Sequence, residues 1–288
     1  MTQAPTQSPN TLRAEDWAGE IGERWLANLD AFEGQIAPVG DALFERAGFA
    51  PGERVIDVGC GGGGTTMRIA GVVAPGGSAT GLDISPALVA EARRRAEAAS
   101  IANIAFACAD AATDAPEGAP FDRLYSRFGS MFFGDPAAAF ANLRAMLRPG
   151  GRIDLAAWAP ANENPWMIET MGVVGAHIDL PPRVPNAPGP FAFGDTDYLR
   201  DILTSAGFSA LDIGVWEGQQ PMGGPGATPA EAARFITTAT SIADSLKAAS
   251  PDLIARIRAD VATLFARYHV PGKGVLLGGK AWLVTATA

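Results

Sequence analysis

Two cysteines and two histidines in 288 residues leave little with which to build a disulfide framework or a thiolate or imidazole metal site. Cys60 and Cys108 are therefore expected to be reduced and buried near the ligand, with no metal held by the chain. Positive charge is also scarce: 22 Lys and Arg stand against 31 Asp and Glu, a formal net charge of -9. Affinity for nucleic acid rests on neutralising phosphates with Lys and Arg, so no such partner is expected. The one basic cluster, Arg93-Arg94-Arg95, reads as a solvated helix face. No run of about 18 apolar residues could span a bilayer, and no basic amphipathic helix suits a membrane surface. Met1 to Asn10 lack the charged and apolar regions of a signal peptide, so the cytoplasm is the expected compartment, without a membrane partner.

Glycine and apolar residues are plentiful, with 34 glycines and 48% hydrophobic residues, enough for one large core with a cap. The chain is organised around Arg54-Val55-Ile56-Asp57-Val58-Gly59-Cys60-Gly61-Gly62-Gly63-Gly64-Thr65-Thr66. An apolar run that stops abruptly in glycine predicts the first strand of a doubly wound sheet, a tight turn and a helix start. Glycines let a backbone approach a ligand closely, and the helix start presents unpaired N–H groups, so a nucleotide-like ligand belongs there. The glycine spacing alone leaves that ligand open, because it satisfies both the dinucleotide pattern and a tighter one. Asp57 decides between them. Its carboxylate, two residues before the first glycine, repels a pyrophosphate and favours a ligand carrying ammonium and sulfonium groups, which points to S-adenosylmethionine.

Asp57-Val58-Gly59-Cys60-Gly61-Gly62-Gly63 resembles motif I of the class I S-adenosylmethionine-dependent methyltransferases, and later segments resemble the type 11 branch. The resemblance covers roughly residues 50 to 160, with Ser126-Arg127-Phe128-Gly129 its other distinctive run. It implies a Rossmann-like α/β fold: a doubly wound, mostly parallel seven-stranded sheet with S-adenosyl-L-methionine across the strand ends. In that setting Gly59, Gly61, Gly63 and Thr65 belong to the cofactor turn. Asp83 ends the second strand, about 20 residues past the glycines, where an acid accepts both ribose hydroxyls. Ser85 already fills the cap of the next helix, which frees Asp83 for that role. Ile84 would face the adenine. Asp110-Ala111, ending the third strand at 103–109, resembles the adenine-binding motif. The backbone around Ser126 and Arg127 would hold the methionine end.

The chain divides into a disordered tail at 1–13, an N-terminal helical cap at 14–48, a cofactor-binding core at 49–158, a proline-rich lid insertion at 159–194, and the rest of the sheet at 195–288 with a second cap segment at about 217–270. Trp17, Ile21, Trp25 and Leu29 recur at helical spacing in the first cap. The resemblance makes Trp25, and less so Trp17, walls of the pocket. Phe128, Met131, Phe132, Trp158 and Trp166 are the candidate substrate walls, because strand-end loops carry such contacts. A last strand at 281–287 after a long connection resembles the methyltransferase sheet, whose seventh strand inserts antiparallel between the fifth and sixth, where a nicotinamide-binding sheet would continue in parallel. The expected activity is metal-independent in-line methyl transfer to a small-molecule acceptor, with His177 of the lid as general base if one is used and His269 a weaker candidate. A nicotinamide-dependent oxidoreductase and a non-catalytic S-adenosylmethionine-binding module are the alternatives. Asn-Pro-Pro-Tyr and Asp-Pro-Pro-Tyr, which family members acting on nucleic-acid or glutamine amino groups often carry after the fourth strand, are absent.

Overall fold

A computed structural model describes residues 14–180, 182 and 184–288; the tail expected at 1–13 lies outside the described residues. Three helices, α1 (Ala14–Ala18), α2 (Glu20–Ala27) and α3 (Leu29–Ala47), precede the sheet, where the sequence pattern suggested two. Gly19 breaks the first of those two. Strands and helices then alternate: β1 (Arg54–Val58), α4 (Gly64–Val73), β2 (Ser78–Asp83), α5 (Pro86–Ala98), β3 (Ile104–Cys108), β4 (Phe121–Arg127), α6 (Pro136–Ala145) and β5 (Leu147–Trp158). After α7 (Pro165–Gly175) and α8 (Thr196–Ser205) come β6 (Ser209–Met222), α9 (Pro229–Ala239), α10 (Ser241–Ser245), α11 (Pro251–Ala266), the short β7 (His269–Val270) and β8 (Gly274–Thr287).

The main sheet runs β3-β2-β1-β4-β5-β8-β6, and β7 pairs with β8 outside that path. Strands β1 to β5 are parallel, while β8 enters antiparallel between β5 and β6. Four successive residues of β1, Val55 to Val58, are buried, so both faces of the sheet are covered, as a parallel sheet requires. Chain order reverses beside β1, where β2 lies on one side and β4 on the other, and such a switch opens a crevice at the carboxyl ends of the strands.

Two strands outrun their sequence signals. β6 continues through Gly218, Pro221 and Met222, so residues 217–222 are strand, where a second cap segment was expected from 217 on. β8 begins at Gly274. Each is a poor strand former locally, but the two pair from Ser209↔Thr287 to Met222↔Val275, and ladder pairing outweighs weak intrinsic preference. Under the sheet, Arg123 of β4 donates to Asp154 of β5 at 2.6 Å and to the Ala47 carbonyl at 2.6 Å, pinning the end of α3. Burial raises the Asp154 carboxyl, and the Arg123 and Arg152 charges pull it back.

Candidate active site

The glycine turn is held by the end of β2, through one backbone carbonyl and one carboxylate. Gly59 and Cys60 N–H groups donate to the Leu82 carbonyl at 2.8 and 3.2 Å, and the Gly61 N–H donates to Asp83 Oδ2 at 2.8 Å. Gly59 and Gly61 take φ of +71° and +54°, the left-handed region where a side chain is strained. They differ in surroundings. A Cβ on Gly59 would stand 2.7 Å from the Gly129 Cα, so the turn and the loop after β4 touch backbone to backbone. A Cβ on Gly61 would meet nothing closer than Trp25 Nε1 at 3.9 Å, because that face is the open cleft.

The cleft, about 940 Å³ including its open mouth, lies at the ends of β1, β2, β3 and β4. Of the residues named from sequence for the cofactor, Gly59, Gly61, Asp83, Ile84, Asp110, Ala111, Arg127 and Trp25 line it. Asp83 accepts the Ser85 N–H on Oδ1 and the Gly61 N–H on Oδ2, and each oxygen keeps a lone pair for a ligand hydroxyl. Burial raises its pKa and those backbone bonds lower it. Asp110, also in the lining, accepts the Ala112 N–H on Oδ1 at 2.9 Å. Among the described residues no hydrogen bond or ion pair reaches the Arg127 guanidinium. Gly40 of α3 makes room for it, since a Cβ there would come within 2.9 Å of Nη1.

Four named residues stand outside the lining. Gly63 packs on the helix side, where a Cβ would strike Ala92 at 2.8 Å, and Thr65 sits in the first turn of α4. The Ser126 hydroxyl donates to the Val58 carbonyl at 2.9 Å and ties β4 to β1. Asp57 lies beneath the turn, 2% exposed, accepting the Thr66 hydroxyl at 2.7 Å. It acts on the cleft through the fold and its charge.

Burial pushes the Asp57 pKa up to about 6; the Thr66 hydrogen bond and the Arg127 charge restrain it, and Asp83 adds to it. A carboxyl whose folded pKa exceeds its unfolded one binds more protons when folded, so its favourable contribution holds at low pH and is lost as pH rises toward 6. Asp57→Asn is therefore expected to stabilise the ligand-free protein at pH 8 by about 2–3 kcal/mol, an advantage that fades by about pH 4. Thermal melts at several pH values check this; equal melting curves at pH 8 would refute it.

A second pocket of about 860 Å³ adjoins the cleft and shares Trp17, Trp25, Ile36, Phe128 and Phe132 with it. All five candidate substrate residues, Phe128, Met131, Phe132, Trp158 and Trp166, line it. Phe128 stands at φ +64°, unusual for a bulky residue, and stacks on Trp158 at 4.3 Å. Trp25 stacks on Phe32 at 3.8 Å, and Trp17 meets Phe132 edge-on at 4.7 Å. The N-terminal cap thus supplies one wall, and α7 with residues 239–244 the other.

Two expectations need correction. His177 is no base for this pocket: it follows α7 on the outside, bonded to Asp260 of α11 at 2.8 Å, and lines neither cavity. Cys108 is exposed, whereas Cys60 is buried in the glycine turn. The basic cluster also does more than face solvent, because Arg95 bonds Glu91 of its own helix and Glu33 and Asp30 of α3. Sequence reasoning missed Glu33, whose carboxylate lies beside Gly62 and Gly64 at the cleft, and Gln35, in the second pocket. Both are polar residues on the sheet-facing side of α3, an irregularity in its apolar stripe that could have marked them.

The lining suits an adenosine joined to an amino acid: Asp83 for vicinal hydroxyls, Ile84 and Leu88 for a flat ring, Asp110 for an exocyclic amine, Glu33 and Arg127 for ammonium and carboxylate. Comparison with known proteins agrees. Residues 55–151 match a family described as Methyltransferase domain. Nocamycin O-methyltransferase of Saccharothrix syringae is 29% identical over 181 residues, 59% of this chain and 64% of that one. Aklanonic acid methyltransferase of Streptomyces sp. (strain C5) is 34% identical over 118 residues, 41% of this chain and 54% of that one. The chain thus spans under two thirds of the length of these relatives. The fold is shared with phosphoethanolamine N-methyltransferase 2 of Haemonchus contortus, solved with S-adenosyl-L-methionine, at a TM-score of 0.55 and 16% identity over 96% of this chain and 60% of that one. Residues 55–151 are thus similar to a methyltransferase domain, the family to which the motifs around Asp57 and Ser126 also point.

Proposed function

We propose that this protein transfers a methyl group from S-adenosyl-L-methionine to a small-molecule acceptor held in the aromatic pocket, without a metal ion. The observation that carries the reading is the shared wall: a polar cleft suited to the cofactor and an apolar pocket meet at Phe128 and Phe132. The relatives named for nocamycin and aklanonic acid support a small-molecule acceptor. When bound, the cofactor supplies an electrophilic methyl group on a positively charged sulfur. The chain's own part is alignment and exclusion of water. Asp83 and Asp110 hold the adenosine, Glu33 and Arg127 the amino-acid end, and the rings of Trp17, Trp25 and Phe128 close the junction. Segments 14–48 and 159–194 act as the cap over the strand ends, and the acids at those ends are engaged with the cofactor or with Thr66 rather than grouped for a cation. The cytoplasm is the compartment proposed; no helix of the described residues is long and apolar enough to cross a membrane.

Calorimetry should show binding of S-adenosylmethionine and S-adenosylhomocysteine and none of NAD; tight NAD binding would sink the reading. With an acceptor in hand, EDTA should leave turnover unchanged. A loss that magnesium restores would overturn the metal-free proposal.

A further inference from the structure

The second pocket holds almost nothing that could take a proton. Among the described residues lining it, the only charged side chains are Arg24 and Asp244, and these bind each other through two hydrogen bonds of 3.0 and 3.1 Å. Lys247 adds a second cation to Asp244 at 3.1 Å, and the pair holds the Asp244 carboxyl below its ordinary range against the effect of burial. No described histidine, cysteine, lysine or tyrosine lines the pocket. The nearest other charges, Arg127, Glu33, Asp83 and Asp110, belong to the cofactor cleft.

Two polar side chains of the pocket are nevertheless left without partners. Gln35 is only 6% exposed, yet its Oε1 has no hydrogen-bond partner among the described residues, and the buried Trp17 Nε1 has none either. Both line the pocket, surrounded by Phe128, Trp158 and Met131. An amide and an indole N–H buried without partners are unfavourable, and a polar ligand group that bonds to them removes that cost. The amide can turn either of its ends to the ligand, and the indole can only donate.

Resting on the methyltransferase reading above, we propose that the acceptor is a flat aromatic carboxylic acid, methylated on its carboxylate oxygen, with Gln35 Nε2 and Trp17 Nε1 donating to that carboxylate. A phenol, with an ordinary pKa of about 10, would have to lose its proton before or during transfer and an amine would have to lose one after it, and the pocket offers no free base to take either. A carboxyl ionises near pH 4 and arrives as the nucleophile. One oxygen lone pair of the carboxylate forms the new C–O bond as the bond between methyl carbon and sulfur breaks, its electron pair staying on sulfur. The acceptor's negative charge and the sulfonium's positive charge cancel, leaving a methyl ester and a thioether. No proton needs a destination.

The test compares 2-naphthoic acid, 2-naphthol and 2-naphthylamine by calorimetry on protein saturated with S-adenosylhomocysteine. The acid is expected to bind about tenfold or more tightly than the other two at pH 7.5. Gln35→Leu should weaken the acid by about tenfold, and Gln35→Glu by more through charge repulsion, while both variants keep S-adenosylhomocysteine binding, which also reports that they fold. Formation of methyl 2-naphthoate should vary little between about pH 6 and pH 9, since the acceptor is ionised throughout. If the acid binds no better than the phenol or amine, or both Gln35 variants bind it normally, the inference is overturned with the methyltransferase reading intact. Failure of the wild-type protein to bind S-adenosylhomocysteine would instead bring down that reading itself.

Discussion

Replacing Asp83 by alanine is expected to weaken S-adenosylmethionine binding by about a hundredfold or more, the largest effect of any single cofactor contact. Two losses combine. The carboxylate would accept the ribose hydroxyls through charge-assisted hydrogen bonds, each worth about 1.5–3 kcal/mol. The same oxygens also hold the Gly61 and Ser85 N–H groups at 2.8 and 2.9 Å, so the alanine variant frees the glycine turn as well as losing the ligand contact. Asp83→Asn separates the two effects. Its amide oxygen can still accept one backbone N–H, and the NH2 that replaces the second oxygen is a donor facing donors, so its affinity should fall between wild type and alanine. Calorimetry with S-adenosylhomocysteine is the measurement. An alanine variant that binds within about threefold of wild type would show that Asp83 only braces the turn.

The second large effect separates two glycines that look equivalent in sequence. Gly59→Ala is expected to lower stability by about 2–5 kcal/mol, combining left-handed strain with an overlap that cannot relax. The Cβ would meet backbone, the Gly129 Cα at 2.7 Å, so β1 and the loop after β4 would have to part. Gly61→Ala carries only the strain, about 1–2 kcal/mol, because its Cβ projects into open space. That space is the cleft. Gly61→Ala should therefore remain folded, with cofactor affinity reduced by about tenfold or more, while Gly59→Ala should melt roughly 4–10 °C lower without ligand. Equal melting temperatures for the two variants would contradict this assignment of roles.

Much of this organisation is legible in the residues themselves. A strand running from Arg54 into a glycine turn, Asp83 at the end of the next strand and Asp110 at the end of the third are local signals: a few adjacent residues set backbone, turn and carboxylate together. The direction of the last strand is not written in its own residues: a long connection permits either sense, and the antiparallel expectation came from the family resemblance. His177 shows where local reasoning stops. Its place near a proline-rich segment suggests a lid, but α7 turns it outward to Asp260, and no pattern in the neighbouring residues encodes that rotation.

By itself the sequence determined the sheet, the cofactor turn and the acids beside it, since each depends on chain neighbours and on periodicities that hold wherever the segment is placed. Only the tertiary structure decided which wall faces the acceptor. Trp17 and Gln35 from the first helices, Trp158 from β5, Trp166 from α7 and Asp244 from α10 meet in one pocket although up to 227 positions separate them. It also put Asp57 under the turn and Arg127 into the cleft, and left Gln35 buried without a partner. Those outcomes follow from long-range packing of helices on the sheet, where a side chain's direction is set by what it meets across the fold and not by the residues beside it.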